Sequence, residues 1–201
     1  MSINEIEVKN MRKLQLLIIS VISILIISCG SASESKLEVK IGGKTTPLNV
    51  KSSGTYNTVK TFTDTKDGKT TVATASSNYI VLGNYDIDTS SGMISMEKPV
   101  TAADQIRVSI QLIGQEGTDE KAGFKTGTFT TKADKFGKVD YANIAYYADG
   151  KESKNFFDIS KTTGEVKITS VTGDSVSGEI NLMEGDKSVK GNFTAKITTK
   201  K

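Results

Sequence analysis

The stretch GEVKITSVTGDSVSGEINLMEGDKSVKGNFTAKI, Gly164 to Ile197, decides the fold. It reads as three strand-length segments, GEVKITSV, DSVSGEINLM and KSVKGNFTAKI, with turns at Thr172–Asp174 and Glu184–Asp186. Threonine, serine, valine and isoleucine suit a pleated, half-buried surface, so the segment predicts a three-stranded meander. Outward from it the same signals recur. KLEVKI, Lys36–Ile41, alternates Leu37, Val39 and Ile41 with charged neighbours, the period-two pattern of a strand with one buried face. Gly42–Gly43 makes a turn into TTPLNVK, where Pro47 predicts an edge strand because it has no N–H for a ladder. QIRVSIQLIG, Gln105–Gly114, alternates Ile106, Val108, Ile110 and Leu112. YNTVKTFTDT and KTTVATASSNYIVLG flank the turn KDG, and Asp149–Gly150 marks another hairpin after KVDYANIAYYA. FKTGTFTTK adds one more strand, and TAAD, Thr101–Asp104, is one capped turn at most. No apolar period of 3.6 runs long enough for a stable helix. The expectation is one antiparallel all-β domain over residues 37–201, a β-sandwich or a β-barrel, built from about a dozen short strands.

Ahead of this domain lies LQLLIISVISILII, Leu14–Ile27, preceded by Arg12 and Lys13 and followed by the only cysteine of the chain, Cys29. The run is shorter than the roughly 20 apolar residues that cross a bilayer, and it matches a secretory core of about 7–15. Ile26, Ile27, Ser28 and Cys29 resemble the lipobox of bacterial lipoproteins: an aliphatic residue, a variable one, a small one, then cysteine. That resemblance implies a signal peptide over residues 1–28, diacylglycerol on the Cys29 thiol, cleavage before Cys29 and acylation of the new amino end by a palmitate-type chain. Stable anchoring takes two or more such chains. Met11 opens an ordinary signal, MRKLQLL, whereas Glu5 and Glu7 are foreign to one, so Met11 is read as the true start. Residues 29–36, small and polar from Gly30 onward, read as a lipidated flexible tether. Gly30, rather than aspartate, after the cysteine implies the outer membrane where the organism has one. The body loosely resembles small β-rich bacterial lipoproteins of no assigned activity.

Composition excludes more than it assigns. The chain has 26 basic and 23 acidic residues, and losing the segment before Cys29 leaves the balance only slightly positive. Its arginines are Arg12 and Arg107 alone, and its lysines are scattered among threonines and aspartates. Nucleic-acid recognition relies on arginine forks and basic stripes, so it is not expected. Histidine and tryptophan are absent. That removes histidine-based triads, the commonest zinc sites and indole platforms for sugars. Carboxylate pairs, Ser–Lys dyads and calcium sites survive.

The near-motifs are weak. GGKTT and DGKTT lack the glycine that lets a phosphate loop wrap its ligand, and they sit between strands. In YDIDTSSG, Asp86 and Asp88 form a weak calcium candidate without the remaining ligands of a known loop. NFT, Asn192–Thr194, matches a glycosylation acceptor by chance. Asp140–Phe157 is the densest aromatic segment. On a strand Tyr141, Asn143, Ala145 and Tyr147 share one face, and Ala142, Ile144, Tyr146 and Ala148 the other. Tyr141, Tyr146, Tyr147 and Phe156 are therefore the ligand-contact candidates, one set packing the core and the other forming an exposed strip or cavity mouth. No catalytic residue, cofactor or firm metal site is assigned. The expectation is a non-enzymatic, membrane-anchored domain that binds an envelope or host macromolecule, or a small ligand. The rival readings are a structural accessory subunit docking through a sheet edge and, less favoured, a carboxylate-based glycosidase. A cavity inside the sheet favours a small ligand, a filled interior with an outer aromatic strip favours a macromolecule, and two inward carboxylates favour the enzyme.

Overall fold

In chain order the strands are β1 (Lys36–Ile41), β2 (Lys44–Asn49), β3 (Ser52–Lys66), β4 (Lys69–Gly83), β5 (Ile106–Glu116), β6 (Gly127–Thr130), β7 (Lys138–Ala148), β8 (Lys151–Phe156), β9 (Thr163–Val171), β10 (Ser175–Glu184) and β11 (Lys187–Lys196). They come from a computed structural model that describes residues 35–87 and 98–198. The lipobox, Cys29, the first part of the tether and Asp88 lie outside the described residues.

All the strands belong to one sheet, ordered β2-β1-β11-β10-β9-β6-β7-β5-β4-β3, with β8 also on β7. The C-terminal meander forms as the sequence predicts, and β1 pairs onto β11. Every ladder is antiparallel except the single parallel pair Thr130–Lys138 between β6 and β7. The hairpin turns are set by residues that tolerate positive φ: Asp67 and Gly68 at 51° and 75°, Asp149 and Gly150 at 52° and 78°. Proline-bearing β2 is an edge strand. Of the residues expected to form the tether, Ser35 bonds both backbone groups of Thr194 and Lys36 opens β1. FKTGTFTTK yields only Gly127–Thr130, since Phe124 turns down into the core and Lys125 and Thr126 face solvent.

One face of this sheet is closed on itself. Leu37, Leu48, Ile80, Ile110, Ile144 and Phe193, from both halves of the strand order, join a single apolar cluster with almost no exposure. Bulges at Ala75–Ser77, Gln111–Leu112 and Ser177–Gly178 tighten the twist that this coiling needs. β3, at one end of the order, approaches the end of β11, through the parallel bridge Thr55–Ile197 and the bond from Lys196 N–H to Ser53 Oγ at 3.2 Å. Among the described residues no ladder joins them. The sheet is therefore not closed into a barrel, and it is not cleanly divided into the two sheets of a sandwich. The strands are also not all short: β3 and β4 are 15 residues each, and their far halves extend beyond the core.

The coil makes the backbone approach itself closely at Gly178. A Cβ there would lie 2.1 Å from the Lys167 carbonyl oxygen and 2.9 Å from the Phe193 ring. Gly178→Ala is expected to cost about 2 kcal/mol, while Gly173→Ala, with nothing within 4 Å, is near neutral. Denaturant melts that gave both variants the same midpoint would refute this account of the coil.

Candidate functional site

The other face of β3-β4-β5-β7-β8 is where polar and aromatic side chains gather. Strand pairing sets Tyr56 opposite Tyr79, Tyr79 opposite Gln111, and Gln111 opposite Tyr141. The next row is Val81, Ser109, Asn143 and Phe156. Every tyrosine of the chain except Tyr146 stands on this side. Tyr56 and Tyr79 stack in parallel with centroids 4.2 Å apart, and Tyr141 meets Phe156 edge to face at 6.0 Å. Farther along β3, Phe62 meets Phe136 at 5.2 Å. Phe156 is 53% exposed, the most open large side chain of the strip.

Polar groups tie the rings down. The Gln111 amide donates to Ser77 Oγ at 2.7 Å, and Asn143 donates to the Tyr141 hydroxyl. Asn143 Oδ1 is buried without a partner. Burial raises both the Tyr56 and Tyr79 phenols above their ordinary 10.0, and for Tyr56 the neighbouring Tyr79 adds to it. Both therefore stay neutral donors through any physiological pH.

At one end the face is covered by a strap, the chain on either side of the undescribed residues 88–97. Val81, Tyr85, Ile87, Val100 and Ala145 form a second apolar cluster under it. Its anchor is Arg107, 2% exposed and, apart from Arg12, the only arginine of the chain. The guanidinium donates to the Tyr85 hydroxyl at 2.9 Å and the Lys98 carbonyl at 2.5 Å, and pairs with Glu152 at 3.4 Å. Glu152 in turn accepts from the Val100 amide at 2.6 Å and pairs with Lys154 at 3.2 Å. Three separate pieces of chain meet at one buried cation.

The sequence candidates divide accordingly. Tyr141 and Phe156 lie together on the outer face; Tyr147 packs beside the strap cluster; Tyr146 faces inward against the main core. Asp86 is exposed and paired with Lys98 at 2.8 Å, and the described residues hold no cluster of three metal-ligating side chains. The carboxylates nearest the strip are both committed to lysine or arginine: Asp140 to Lys60 and Lys138, Glu152 to Arg107 and Lys154. Sequence reading missed Tyr56, Tyr79 and Gln111, because only cross-strand pairing brings them to Tyr141. Arg107 did carry a signal, its uniqueness in the domain.

No family model, curated protein or solved structure matches this chain.

Arg107→Met removes the strap's anchor and leaves Glu152 short of a buried partner, at an expected cost of about 3 kcal/mol in urea melts. Acid probes the same node. Burial works to raise the Glu152 pKa, but the Val100 amide, Lys154 and Arg107 outweigh it and hold it below its ordinary 4.5. A lowered folded-state pKa contributes stability above the ordinary value, lost as pH falls through the lowered one. The gap in melting temperature between wild type and Glu152→Gln should therefore be constant above pH 4.5 and shrink below it. A gap unchanged down to acid unfolding would remove Glu152 from this role.

Proposed function

We propose that this chain is an exported, lipid-anchored bacterial envelope protein whose β domain is not an enzyme and binds a macromolecular partner through its outer tyrosine face. The observation that carries the reading is the segregation of the tyrosines: all but Tyr146 lie on the outer side, while the inner side is filled by aliphatic side chains and phenylalanine. Tyrosine adds contact area at a small entropic cost and keeps a hydrogen-bonding tip, which suits a surface that must be both soluble and adhesive. A filled interior speaks against a small ligand held inside the sheet. The finer reading of the fold is a sandwich, with β2-β1-β11-β10-β9-β6 and β7-β5-β4-β3 as its two layers sharing one core.

The anchor half of the proposal rests on Ile26-Ile27-Ser28-Cys29 and the apolar run before it. Lipid on Cys29 would hold the domain at a bacterial membrane, the outer one in a cell with two. The rival docking through a sheet edge is weakened at β2, where Pro47 blunts the edge.

Two measurements test the halves separately. Mass spectrometry of the mature chain should find Cys29 acylated at the new amino end, and Cys29→Ala should leave the signal uncleaved; a bare thiol on an intact leader would defeat the anchor. A photo-cross-linking side chain placed at Phe156 in living cells should give a discrete adduct, absent from one placed at Lys190. Adding Tyr141→Ala should reduce that adduct about tenfold with the fold retained, about the worth of one well-packed aromatic contact. Equal adducts at both positions would defeat the outer face as the binding surface.

A further inference from the structure

β3 is one end of the strand order, and among the described residues its outer backbone edge is bridged at one point only, Thr55 to Ile197. From Asn57 to Thr65 no ladder of the described residues covers it. The two-residue Asp67–Gly68 turn makes Lys66 and Lys69 a hydrogen-bonded pair, so every second residue back along β3 turns its backbone groups to β4. The N–H and C=O of Asn57, Val59, Thr61, Thr63 and Thr65 therefore point away from the sheet.

Such an edge is a template for a further strand unless something blunts it. The other end of the order, β2, carries Pro47. β3 has no proline, and its pairing with β4 runs from Ser52 to Lys66 without a bulge. Its guard is charge alone: Lys60, Asp64 and Lys66, which share the outer face with Tyr56 and Phe62.

Those charges reject most pairings of this strand with itself and admit one. Consider two β3 edges paired antiparallel about a two-fold axis. Centring on Lys60 sets lysine against lysine, and centring on Asp64 sets aspartate against aspartate. Centring on Thr63 places Lys60 opposite Lys66 twice, and centring on Thr61 makes no charge pair. Parallel in-register pairing stacks each charge on its own copy. Centring on Phe62 places Lys60 opposite Asp64 of the second copy, once on each side of the axis. It also sets the two Phe62 rings side by side, and it aligns the outward backbone groups of Val59 with Thr65 and of Thr61 with Thr63.

Within the chain Lys60 already meets Asp140 at 2.5 Å, and Asp64 meets Lys135. The Lys60 and Asp64 side chains are still 37% and 57% exposed, which leaves both open to a second partner. Joining two copies extends these pairs into a row of alternating sign: Asp140, Lys60, then Asp64 and Lys135 of the second copy.

We infer that β3 is a self-association edge: two copies of this chain pair antiparallel about Phe62 and continue the sheet from one into the other. The outer tyrosine face and the lipid anchor stand or fall separately from it.

Sedimentation equilibrium of the full chain in density-matched detergent tests this. Wild type should show a reversible monomer–dimer equilibrium. Lys60→Asp and Asp64→Lys should each raise its midpoint concentration about tenfold, since each turns two attractive pairs repulsive. Mixed together, the two single variants should associate again, because the acidic pair of one then faces the basic pair of the other. The double exchange, Lys60→Asp with Asp64→Lys, should dimerise as wild type does, and it serves alone if a single variant fails to fold. Lys66→Asp alters charge equally but faces Thr58 in this register, so it should leave the midpoint unchanged. A wild type that stays monomeric would overturn the proposal and leave the edge to a strand from another protein. A dimer indifferent to both reversals, or one restored neither by mixing nor by the double exchange, would overturn it as well.

Discussion

The burial of one face of a continuous sheet against itself is the constraint on which the rest of this structure depends. With a single cysteine the chain has no internal disulfide, and among the described residues it has no helix to cover a sheet. Its aliphatic residues can leave water only if the sheet coils until its two halves meet. Ile80, Ile110 and Ile144 from one half, and Leu37, Ile180 and Phe193 from the other, then share one interior. At about 1.5–3 kcal/mol for each fully buried large side chain, this contact is the largest favourable term available to the chain. It is also why glycine is needed where strands press together, as at Gly178.

Coiling leaves a second problem. The outer face of β4, β5 and β7 retains Val81, Ala145 and the side chains between them, and a bare apolar patch there would invite aggregation. The chain solves it by folding the strap back over one end and fastening it with Arg107. A guanidinium suits that post because its planar fork reaches a hydroxyl, a carbonyl and a carboxylate at once. The lysines that dominate this sequence would offer a point charge and no fork. The remainder of the outer face carries tyrosines in place of a strap.

Much of the architecture was legible because strand signals are local. The alternation in Lys36–Ile41 and Gln105–Gly114, the Asp-Gly turns and the proline of β2 each encode their own conformation, and each is found in place. Tyr141 and Tyr146 were correctly set on opposite faces by period two alone. What could not be read was pairing. That β7 lies beside β5, and β5 beside β4, is a non-local fact, and only it gathers Tyr56, Tyr79, Gln111 and Tyr141 into one row. The same ignorance hid the open seam between β3 and the end of β11, since closure depends on how strand ends meet. Asn57 and Asn78 looked like ordinary polar strand residues, and nothing local showed that each would leave a buried oxygen without a partner.

The choice of tyrosine over phenylalanine on the outer face follows from the burial pattern. A row of phenylalanines across these strands would pack as well but would leave the Asn143 side-chain donor without the hydroxyl that takes it. The Tyr141 hydroxyl takes the Asn143 donor, and Gln111 finds Ser77 below the Tyr79 ring. Polar floor and aromatic cover thus meet at Tyr141, and losing its hydroxyl strands the Asn143 donor. The raised pKa values of Tyr56 and Tyr79 are a by-product of the same burial, and they keep the phenols uncharged at neutral pH. The result is a surface of fixed rings and neutral hydroxyls, pre-organised before any partner arrives, so that little side-chain entropy remains to be lost on contact.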